Sequence, residues 1–222
     1  MTKYAILKIT IKHLVLIYRI SLKGRIGMKK MIFVASPPAC GKTRLSKRLA
    51  NALDHVVYLD KDTLIPLSHQ IFKVAGEECN RSSDFFEEHI RNYEYEAILA
   101  LGFEALRYAD TVLINAPFTR EIRDPEYIKG LRAQLAEYDA KLCAIWIVTD
   151  VEVCKARMMK RNSDRDTWKM AHWDEYVKRI NFNIPEDLYL EGQPDSLLLY
   201  YNSNDDLADA SFARILPILN GD

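Results

Sequence analysis

The sequence predicts one α/β domain, from Met28 onward, in which parallel strands alternate with helices. Five apolar segments of strand length occur along the chain, and each is followed by residues with the apolar spacing of a helix. The run 142–148 is almost continuously apolar, as is typical of a parallel strand covered on both faces. With 49% hydrophobic residues among 222, the chain can bury one good core, and its sequence contains no repeat or linker. The predicted strands are 31–35, 56–59, 111–114, 142–148 and 196–201.

The stretch Ser36–Thr43, which reads S-P-P-A-C-G-K-T, follows the first strand and opens into a helix. Free N–H groups at a helix N-terminus point into one concavity, where the helix dipole adds partial positive charge. Lys42 can reach the β- and γ-phosphate oxygens of a nucleotide, and the Thr43 hydroxyl can ligate Mg²⁺. We interpret the stretch as a phosphate-binding loop, with a plain strand-turn-helix as the alternative. The expected nucleotide contacts are Ser36, Pro37, Pro38, Ala39, Cys40, Gly41, Lys42, Thr43 and Arg44.

This loop departs from the usual pattern G-x-x-x-x-G-K-[ST], because Ser36 replaces the first glycine. Pro37 and Pro38 also lack an N–H group. The donors nearest the β-phosphate come from residues 39–43 and are intact, so the pattern still predicts nucleotide binding.

The segment resembles the first βα unit of the P-loop kinases that phosphorylate small molecules and carry an AAA-type ATP-binding domain. This group includes shikimate kinase, gluconate kinase, chloramphenicol phosphotransferase and the zeta-toxin type kinases, and no single member matches closely. The resemblance implies a three-layer fold with a parallel sheet ordered 2-3-1-4-5, a helical acceptor region and an arginine-bearing lid. It also implies ATP and Mg²⁺ as cofactors.

Two carboxylates follow the second strand, in Asp60-Lys61-Asp62-Thr63. Ligands of open parallel sheets bind beyond the carboxyl ends of the strands, and acids one residue apart on an extended chain face different ways. The D-x-D pattern resembles that of shikimate-kinase-like enzymes. The resemblance implies that Asp60 lies on the metal side and that Asp62 takes the proton of the acceptor hydroxyl. Solvated loop acids are the alternative.

The third strand ends in Asn115-Ala116-Pro117-Phe118. In the related kinases this strand end often carries an Asp that helps hold Mg²⁺ through water, so Asn115 is a second departure. Its position predicts the edge of the active site, while its uncharged amide weakens a direct metal role. We expect Thr119, Arg120 and Arg123 to line the acceptor pocket.

Residues 64–110 are predicted to be largely helical and lie where the related kinases bind their acceptor. Arg81 and Arg91 face an acidic or polar acceptor in one interpretation and are surface cations in the other. The predicted buried face of the helix comprises Phe86, Ile90, Tyr93, Ala97, Leu101 and Leu106.

Arg157, Arg161 and Arg165 are four residues apart, which places them along one side of a helix if the helix predicted at 151–162 runs that far. The segment resembles the lid of P-loop kinases, whose arginines neutralise the transferring phosphoryl group. A solvated basic helix face is the alternative. The loop after the fifth strand lies near the adenine in related kinases, so we also expect a contact from Asn202.

Lys+Arg and Asp+Glu both number 31, so the formal net charge is zero. This balance gives no argument for nucleic acid or an acidic membrane as an obligate partner. The four cysteines show no C-x-x-C spacing, which favours reduced thiols of a cytoplasmic protein. Residues 1–27 are too charged for a membrane span, and we expect them to form a dispensable extension. A surface helix or an added strand is the alternative.

These patterns together predict an ATP- and Mg²⁺-dependent phosphotransferase that acts on a hydroxyl of a small molecule. A second reading changes the acceptor to a nucleotide or a polynucleotide end. A third interpretation is a nucleotide-binding regulator with little turnover. It stays open because Ser36 and Asn115 both differ from the residues that the kinase pattern has at these positions.

Overall fold

The computed structural model describes residues 28–163 and 166–221. The predicted extension 1–27 and Arg165 lie outside the described residues. Within them, five strands form one parallel sheet in the order β2-β3-β1-β4-β5, which confirms the order that the kinase resemblance implied. The strands are β1 Lys29–Ala35, β2 Val56–Asp60, β3 Thr111–Asn115, β4 Ala140–Val148 and β5 Leu197–Tyr201.

Helices connect the strands and cover the sheet. In chain order they are α1 Lys42–Ala52, α2 Ile65–Ala75, α3 Asn92–Ala105, α4 Pro125–Ala136, α5 Val151–Arg161, α6 Thr167–Ala171, α7 Trp173–Arg179 and α8 Asp205–Asn220. One α-helical turn and one π-helical turn precede α3, at Asp84–Phe86 and Glu87–Arg91. Short 3₁₀ turns occupy Lys61–Leu64, Glu121–Arg123 and Glu186–Leu188.

Two apolar layers cover β1, the central strand of the sheet. Met31 and Phe33 join the core cluster under α3 and α4, while Ile32 and Val34 join the cluster under α1 and α8. All four side chains are fully buried. Because side chains alternate across a strand, a continuous apolar run is what a strand with two covered faces requires. The fold is therefore three-layered, with the sheet between two helical layers.

The sequence Asp124-Pro125-Glu126 predicts a helix start with Asp124 as its cap, and the structure confirms this cap at the start of α4. The Asp124 carboxylate accepts hydrogen bonds from the backbone N–H groups of Glu126 and Tyr127, and Pro125 occupies the first turn. A carboxylate satisfies the free donors of a helix start, and proline has no donor to lose there.

The predicted buried face of residues 64–110 is wrong in part. Tyr93 and Leu101 are 63% and 50% exposed, while Tyr95 and Ile98 are buried instead. The π-helical turn Glu87–Arg91 is the physical reason, because the wider turn advances the helical phase before α3 begins. A uniform 3.6-residue period across this turn assigns the wrong face.

Candidate active site

The loop between β1 and α1 is shaped by two residues in the left-handed region. Ala39 has φ +64° and Gly41 has φ +99°, with Cys40 between them in an ordinary conformation. When successive residues alternate between left-handed and right-handed backbone conformations, their N–H groups point into one concavity. This is the geometry of an anion-binding nest. Helix α1 begins directly afterwards at Lys42, so the partial positive charge of its N-terminus adds to the same concavity.

Ser36 replaces glycine without strain. It does not have a positive φ, so the backbone at this position does not require glycine. Its side chain is fully buried. The Ser36 carbonyl oxygen and hydroxyl accept hydrogen bonds from Lys42 Nζ at 2.9 and 3.2 Å. The departure from the usual pattern therefore adds a polar partner for the lysine.

The Lys42 ammonium group lies over the loop and also donates to the Pro37 carbonyl oxygen at 3.0 Å. Burial lowers the pKa of Lys42 from 10.5 to about 8. The negative charge of Asp62 acts in the opposite direction, and the positive charge of Arg161 reinforces the lowering. Asp62 and Arg161 are thus within electrostatic reach of the lysine.

Thr43, Asp60 and Asn115 meet where β2, β3 and α1 come together. Asp60 and Asn115 are paired in the sheet register, so their side chains share one face. Asn115 Nδ2 donates to Asp60 Oδ2 at 2.9 Å and to Thr43 Oγ1 at 3.2 Å. The Tyr58 hydroxyl donates to Asp60 Oδ2 at 2.8 Å. Among the described residues, no hydrogen-bond partner reaches the buried Asn115 Oδ1, which leaves an acceptor free for a water or ligand donor.

The composition of this cluster suits Mg²⁺, which is usually bound partly by protein oxygens and partly by water, better than it suits a metal ion that is coordinated by protein side chains alone. It offers hydroxyl, carboxylate and amide oxygens, and Mg²⁺ commonly binds one or two carboxylates while it keeps several waters. In the ranges 28–163 and 166–221, no group of three His, Cys, Asp or Glu side chains is arranged to hold a metal ion. Thr43 and Asp60 would hold the ion directly or through water, with Asn115 Oδ1 accepting from a metal-bound water.

Asp62 lies in a 3₁₀ turn, so the expectation of an extended D-x-D segment is wrong. The turn forms because Asp60 Oδ1 accepts from the Asp62 N–H at 3.0 Å. Between them, Lys61 points into the core and pairs with Glu94. The Asp62 side chain is exposed at the sheet edge, on the same edge as the phosphate loop.

Arg157 contacts the phosphate loop through Asn202, the residue after β5. Arg157 Nη2 donates to the Asn202 carbonyl oxygen at 2.8 Å, and Asn202 Nδ2 donates to the Cys40 carbonyl oxygen at 2.6 Å. A methyl group built on Gly41 would lie 3.9 Å from Arg157 Nη1. This Nη1 is buried and has no partner in the described part of the chain. An unpaired cationic donor therefore lies beside the loop.

The other predicted arginines are placed differently. Helix α5 ends at Arg161, where Asn162 adopts a left-handed conformation with φ +45°, so the helix carries Arg157 and Arg161. Arg161 donates to the buried Asp166 carboxylate at 2.8 and 2.5 Å. Arg44 forms an exposed ion pair with Asp205 at 2.8 Å rather than turning into the loop.

Two cavities flank the segment after β3. Arg120 lines one of about 350 Å³ together with Tyr95, Glu121 and Tyr127. Arg123 lines another of about 670 Å³, against residues 182–187. Neither cavity is lined by Asp62 or by a residue of the phosphate loop, so neither is part of the concavity of that loop.

Arg81 and Arg91 are structural ion-pair partners, so the interpretation as surface cations is wrong. Arg81 binds both carboxylate oxygens of Glu94, at 2.6 and 2.8 Å. Arg91 binds Glu121 at 2.8 Å, and both of these side chains are nearly buried. Their charges are neutralised within the protein, so neither arginine is a surface cation.

Sequence reasoning missed several residues that support the site or lie beneath it. Tyr58 precedes Asp60 by two residues on a strand and therefore shares its face, a signal that was available. Thr149 Oγ1 donates to the Cys40 carbonyl oxygen at 3.2 Å, and Cys154 Sγ lies 3.4 Å from Cys40 Sγ. These contacts join distant parts of the chain, and no local pattern indicates them.

Comparison with known proteins agrees with this geometry. Residues 31–182 match the model of the AAA domain family. A gluconokinase from Sinorhizobium meliloti 1021 shares 15% identity with a TM-score of 0.50, over 86% of this chain and 96% of that one. A suspected kinase from Chloroflexus aurantiacus shares 20% identity with a TM-score of 0.53, over 88% of this chain and all of the other.

A shikimate kinase from Bacteroides thetaiotaomicron shares 12% identity with a TM-score of 0.47, over 87% of this chain and 99% of that one. No curated protein sequence matches significantly. At their identities the gluconokinase and the Chloroflexus aurantiacus structure show a shared fold alone. Because the family model covers more than half of the chain and includes both the phosphate loop and α5, the chain belongs to the AAA domain family, with the fold of P-loop kinases that act on small molecules.

Proposed function

We propose that this protein is an ATP- and Mg²⁺-dependent phosphotransferase that moves the γ-phosphate of ATP to a hydroxyl of a small molecule. The observation that carries the proposal is the set of groups gathered around one loop. Lys42, the oxygen cluster of Thr43 and Asp60, and the unpaired donor of Arg157 all lie at the carboxyl edge of the sheet. Phosphoryl transfer depends on positioning and charge stabilisation, which these groups supply.

Nucleotide binding begins with the loop and Lys42. The N–H groups of the loop and the start of α1 bind phosphate oxygens. Lys42 exchanges the carbonyl oxygens of Ser36 and Pro37 for β- and γ-phosphate oxygens, which are stronger partners because they are charged. When bound, ATP supplies the phosphoryl group and Mg²⁺ neutralises its oxygens. Thr43 and Asp60 would hold that ion, and Asn115 Oδ1 would accept a hydrogen bond from one of its waters.

Asp62 and the arginines complete the proposed chemistry. Asp62 is exposed at the loop edge, where its carboxylate can accept the proton of an acceptor hydroxyl. Arg157 donates its free Nη1 to the transferring group, since a guanidinium remains charged and offers fixed donors. Arg161 would break its ion pair with Asp166 and also bind the transferring group. Arg165 is proposed to act with these two arginines.

The acceptor is proposed to be small and not a nucleic acid or a membrane component. The formal net charge is zero, so no overall field attracts a polyanion. Within the residues that the structure describes, no helix has both the length and the apolar character needed to cross a membrane.

A nucleotide-binding regulator with little turnover is the second candidate. Two observations favour it. Asn115 contributes an amide where an acid would add charge to a metal site, and Arg161 is already neutralised by Asp166. A regulator needs nucleotide binding alone, so acceptor-dependent turnover distinguishes the two candidates.

The test is ADP release by purified protein with ATP and Mg²⁺, against a pool of sugars, nucleosides and aminoglycoside- or phenicol-like alcohols. We expect one acceptor class to stimulate ADP release, and Lys42→Ala to abolish both ATP binding and turnover. Lys47→Ala, which removes an exposed lysine from the same helix, is the matched control and should match the wild type. ATP binding that is indifferent to Lys42→Ala would contradict the proposal.

A further inference from the structure

Two cysteines meet beneath the phosphate loop. Cys40 Sγ lies 3.4 Å from Cys154 Sγ, although 114 residues separate them in sequence. Both side chains are fully buried, and neither forms a disulfide. A disulfide bond is about 2 Å long, so the two sulfurs need to approach by only about 1.4 Å. The protein therefore holds two thiols in contact beneath the phosphate loop of its candidate active site.

The two thiols are chemically unequal. The hydrogen bond from Cys154 lowers the pKa of Cys40 below that of an ordinary thiol and outweighs the opposite effect of burial, and the nearby Lys42 ammonium also lowers this pKa. The same hydrogen bond and burial raise the pKa of Cys154. The thiolate is the reactive form of cysteine, so Cys40 is the more reactive of the two sulfurs.

The pair connects the loop to the helix that carries the candidate arginines. The Cys40 carbonyl oxygen is held by Asn202 Nδ2 and Thr149 Oγ1, at 2.6 and 3.2 Å. Cys154 lies on α5, one helical turn before Arg157. A bond between the sulfurs would therefore displace Cys40 toward α5 while its carbonyl group remains tied to the ends of β4 and β5.

We propose that Cys40 and Cys154 form a reversible disulfide when a hydroperoxide oxidises the protein, and that this disulfide prevents nucleotide binding by the phosphate loop. The N–H groups of Cys40 and Gly41 line the concavity. Displacement of Cys40 would therefore turn these N–H groups so that they no longer point at the same phosphate group. The inference rests on nucleotide binding by the loop and is independent of phosphoryl transfer.

The oxidation proceeds in two balanced steps. The Cys40 thiolate attacks one oxygen of the hydroperoxide, which forms an S–O bond, breaks the O–O bond and gives a sulfenic acid; the departing oxygen leaves as water or an alcohol after it gains a proton. Cys154 sulfur then attacks Cys40 sulfur, which forms the S–S bond and breaks the S–O bond. The hydroxide that leaves takes the Cys154 proton and becomes water. Hydrogen peroxide is close to water in size, and Ala39 beside the pair is only half-buried.

The test uses the full chain with Cys79→Ser, which removes an exposed thiol that would react independently. The protein is treated with hydrogen peroxide and then analysed by intact mass, by a non-reducing peptide map and by titration with a fluorescent ATP analogue. We expect a mass loss of two hydrogen atoms, a peptide that links Cys40 to Cys154, and nucleotide affinity weakened about tenfold or more. Dithiothreitol should restore both the mass and the affinity.

Cys154→Ala in the same background separates the disulfide from other oxidation. It should bind nucleotide normally when reduced and should give neither the mass loss nor the dithiothreitol-reversible change. Cys143→Ala removes another buried cysteine, which contacts Asp195 instead, and should behave as its parent. If Cys154→Ala does not fold, saturating ATP is the second arm, since coupling is reciprocal and bound nucleotide should slow the disulfide. Absence of the linked peptide, or a linked protein with unchanged nucleotide affinity, would overturn the inference.

Failure of the proposed kinase activity gives a different result. Nucleotide affinity that responds to peroxide, in a protein with no acceptor-dependent turnover, would uphold the switch and contradict the phosphotransferase. A reduced protein that binds no nucleotide would contradict both.

Discussion

Lys42 makes nucleotide binding sensitive to pH. Burial lowers its pKa to about 8, so the free lysine is mostly neutral above that pH. Phosphate oxygens restore the charged form, which means that ATP binding takes up a proton there. We expect affinity for ATP to fall by about tenfold for each pH unit above 8.

Calorimetric titration at pH 9, in two buffers of different ionisation enthalpy, measures this proton uptake. Lys47→Ala, which leaves Lys42 in place, should keep the uptake. An affinity for ATP that is constant between pH 7 and pH 9 would contradict this role of Lys42.

Gly41 is required by both space and backbone conformation. A methyl group at this position would lie 2.2 Å from Asn202 Nδ2, and the φ of +99° is unfavourable for any other residue. We expect Gly41→Ala to lower the free energy of unfolding by about 2 kcal/mol or more and to abolish nucleotide binding. Urea unfolding measures the first effect.

The matched control is Gly130→Ala in α4, where a methyl group meets no atom within 4 Å. It should raise the free energy of unfolding by about 1 kcal/mol, because alanine favours the helix. Equal effects of the two substitutions would show that the loop tolerates a side chain at Gly41.

At the scale of elements, one buried ion cluster holds α3 against the turn after β2. Glu94 binds Lys61 at 2.6 Å and both guanidinium nitrogens of Arg81, and it also accepts from Ser68. Burial alone would raise the pKa of Glu94, but the hydrogen bonds from these three partners outweigh it and lower the pKa to about 2. The cluster therefore stabilises the folded protein while Glu94 is ionised.

We expect Glu94→Gln to lower the free energy of unfolding by about 3 kcal/mol, since two cations lose their charge partner. The wild type should be fully stabilised above pH 4.5 and should lose about 3 kcal/mol as pH falls from 4.5 to 2. Urea unfolding across this range measures both effects. Glu96→Gln, at an exposed position on the same helix, is the control. If it lowers the free energy of unfolding by as much as Glu94→Gln does, the ion cluster is not the cause of the loss of stability.

The elements show where local patterns suffice. The strand at 142–148 and the cap at Asp124 follow from apolar runs and from side-chain chemistry within a few residues, and the sequence predicts both. The exposed Tyr93 does not follow, because the π-helical turn Glu87–Arg91 shifts the helical phase. The buried pairing of Lys61 with Glu94 also depends on how α3 packs against β2, which no local pattern contains.

At the scale of the whole molecule, the five-stranded sheet and the two apolar layers are formed by residues within 28–163 and 166–221. We therefore expect a protein that begins at Met28 to keep the nucleotide affinity of the full chain and to unfold within about 5 °C of it. Thermal unfolding with and without an ATP analogue compares the two proteins. Loss of affinity on truncation would show that residues 1–27 belong to the functional domain.

The candidate site divides in the same way. The loop around Lys42 and the acid Asp60 are local signals, because a phosphate loop needs small residues, a lysine and a helix start. Contacts that join separate strand ends are not local. The bond from Arg157 to Asn202 and the approach of Cys154 to Cys40 depend on the order of β4 and β5 in the folded sheet.

Transfer of labelled γ-phosphate from ATP to an acceptor tests the proposed phosphotransferase most directly. We expect Mg²⁺-dependent label in an acceptor of the pool, and a rate reduced by about 10²–10⁴-fold in Asp62→Asn with unchanged ATP affinity. Asp54→Asn, an exposed acid before β2, should transfer label as the wild type does. Transfer by Asp62→Asn at the wild-type rate would remove Asp62 as the base. ATP bound through Lys42 with no label in any acceptor would contradict the phosphotransferase and leave the nucleotide-binding regulator.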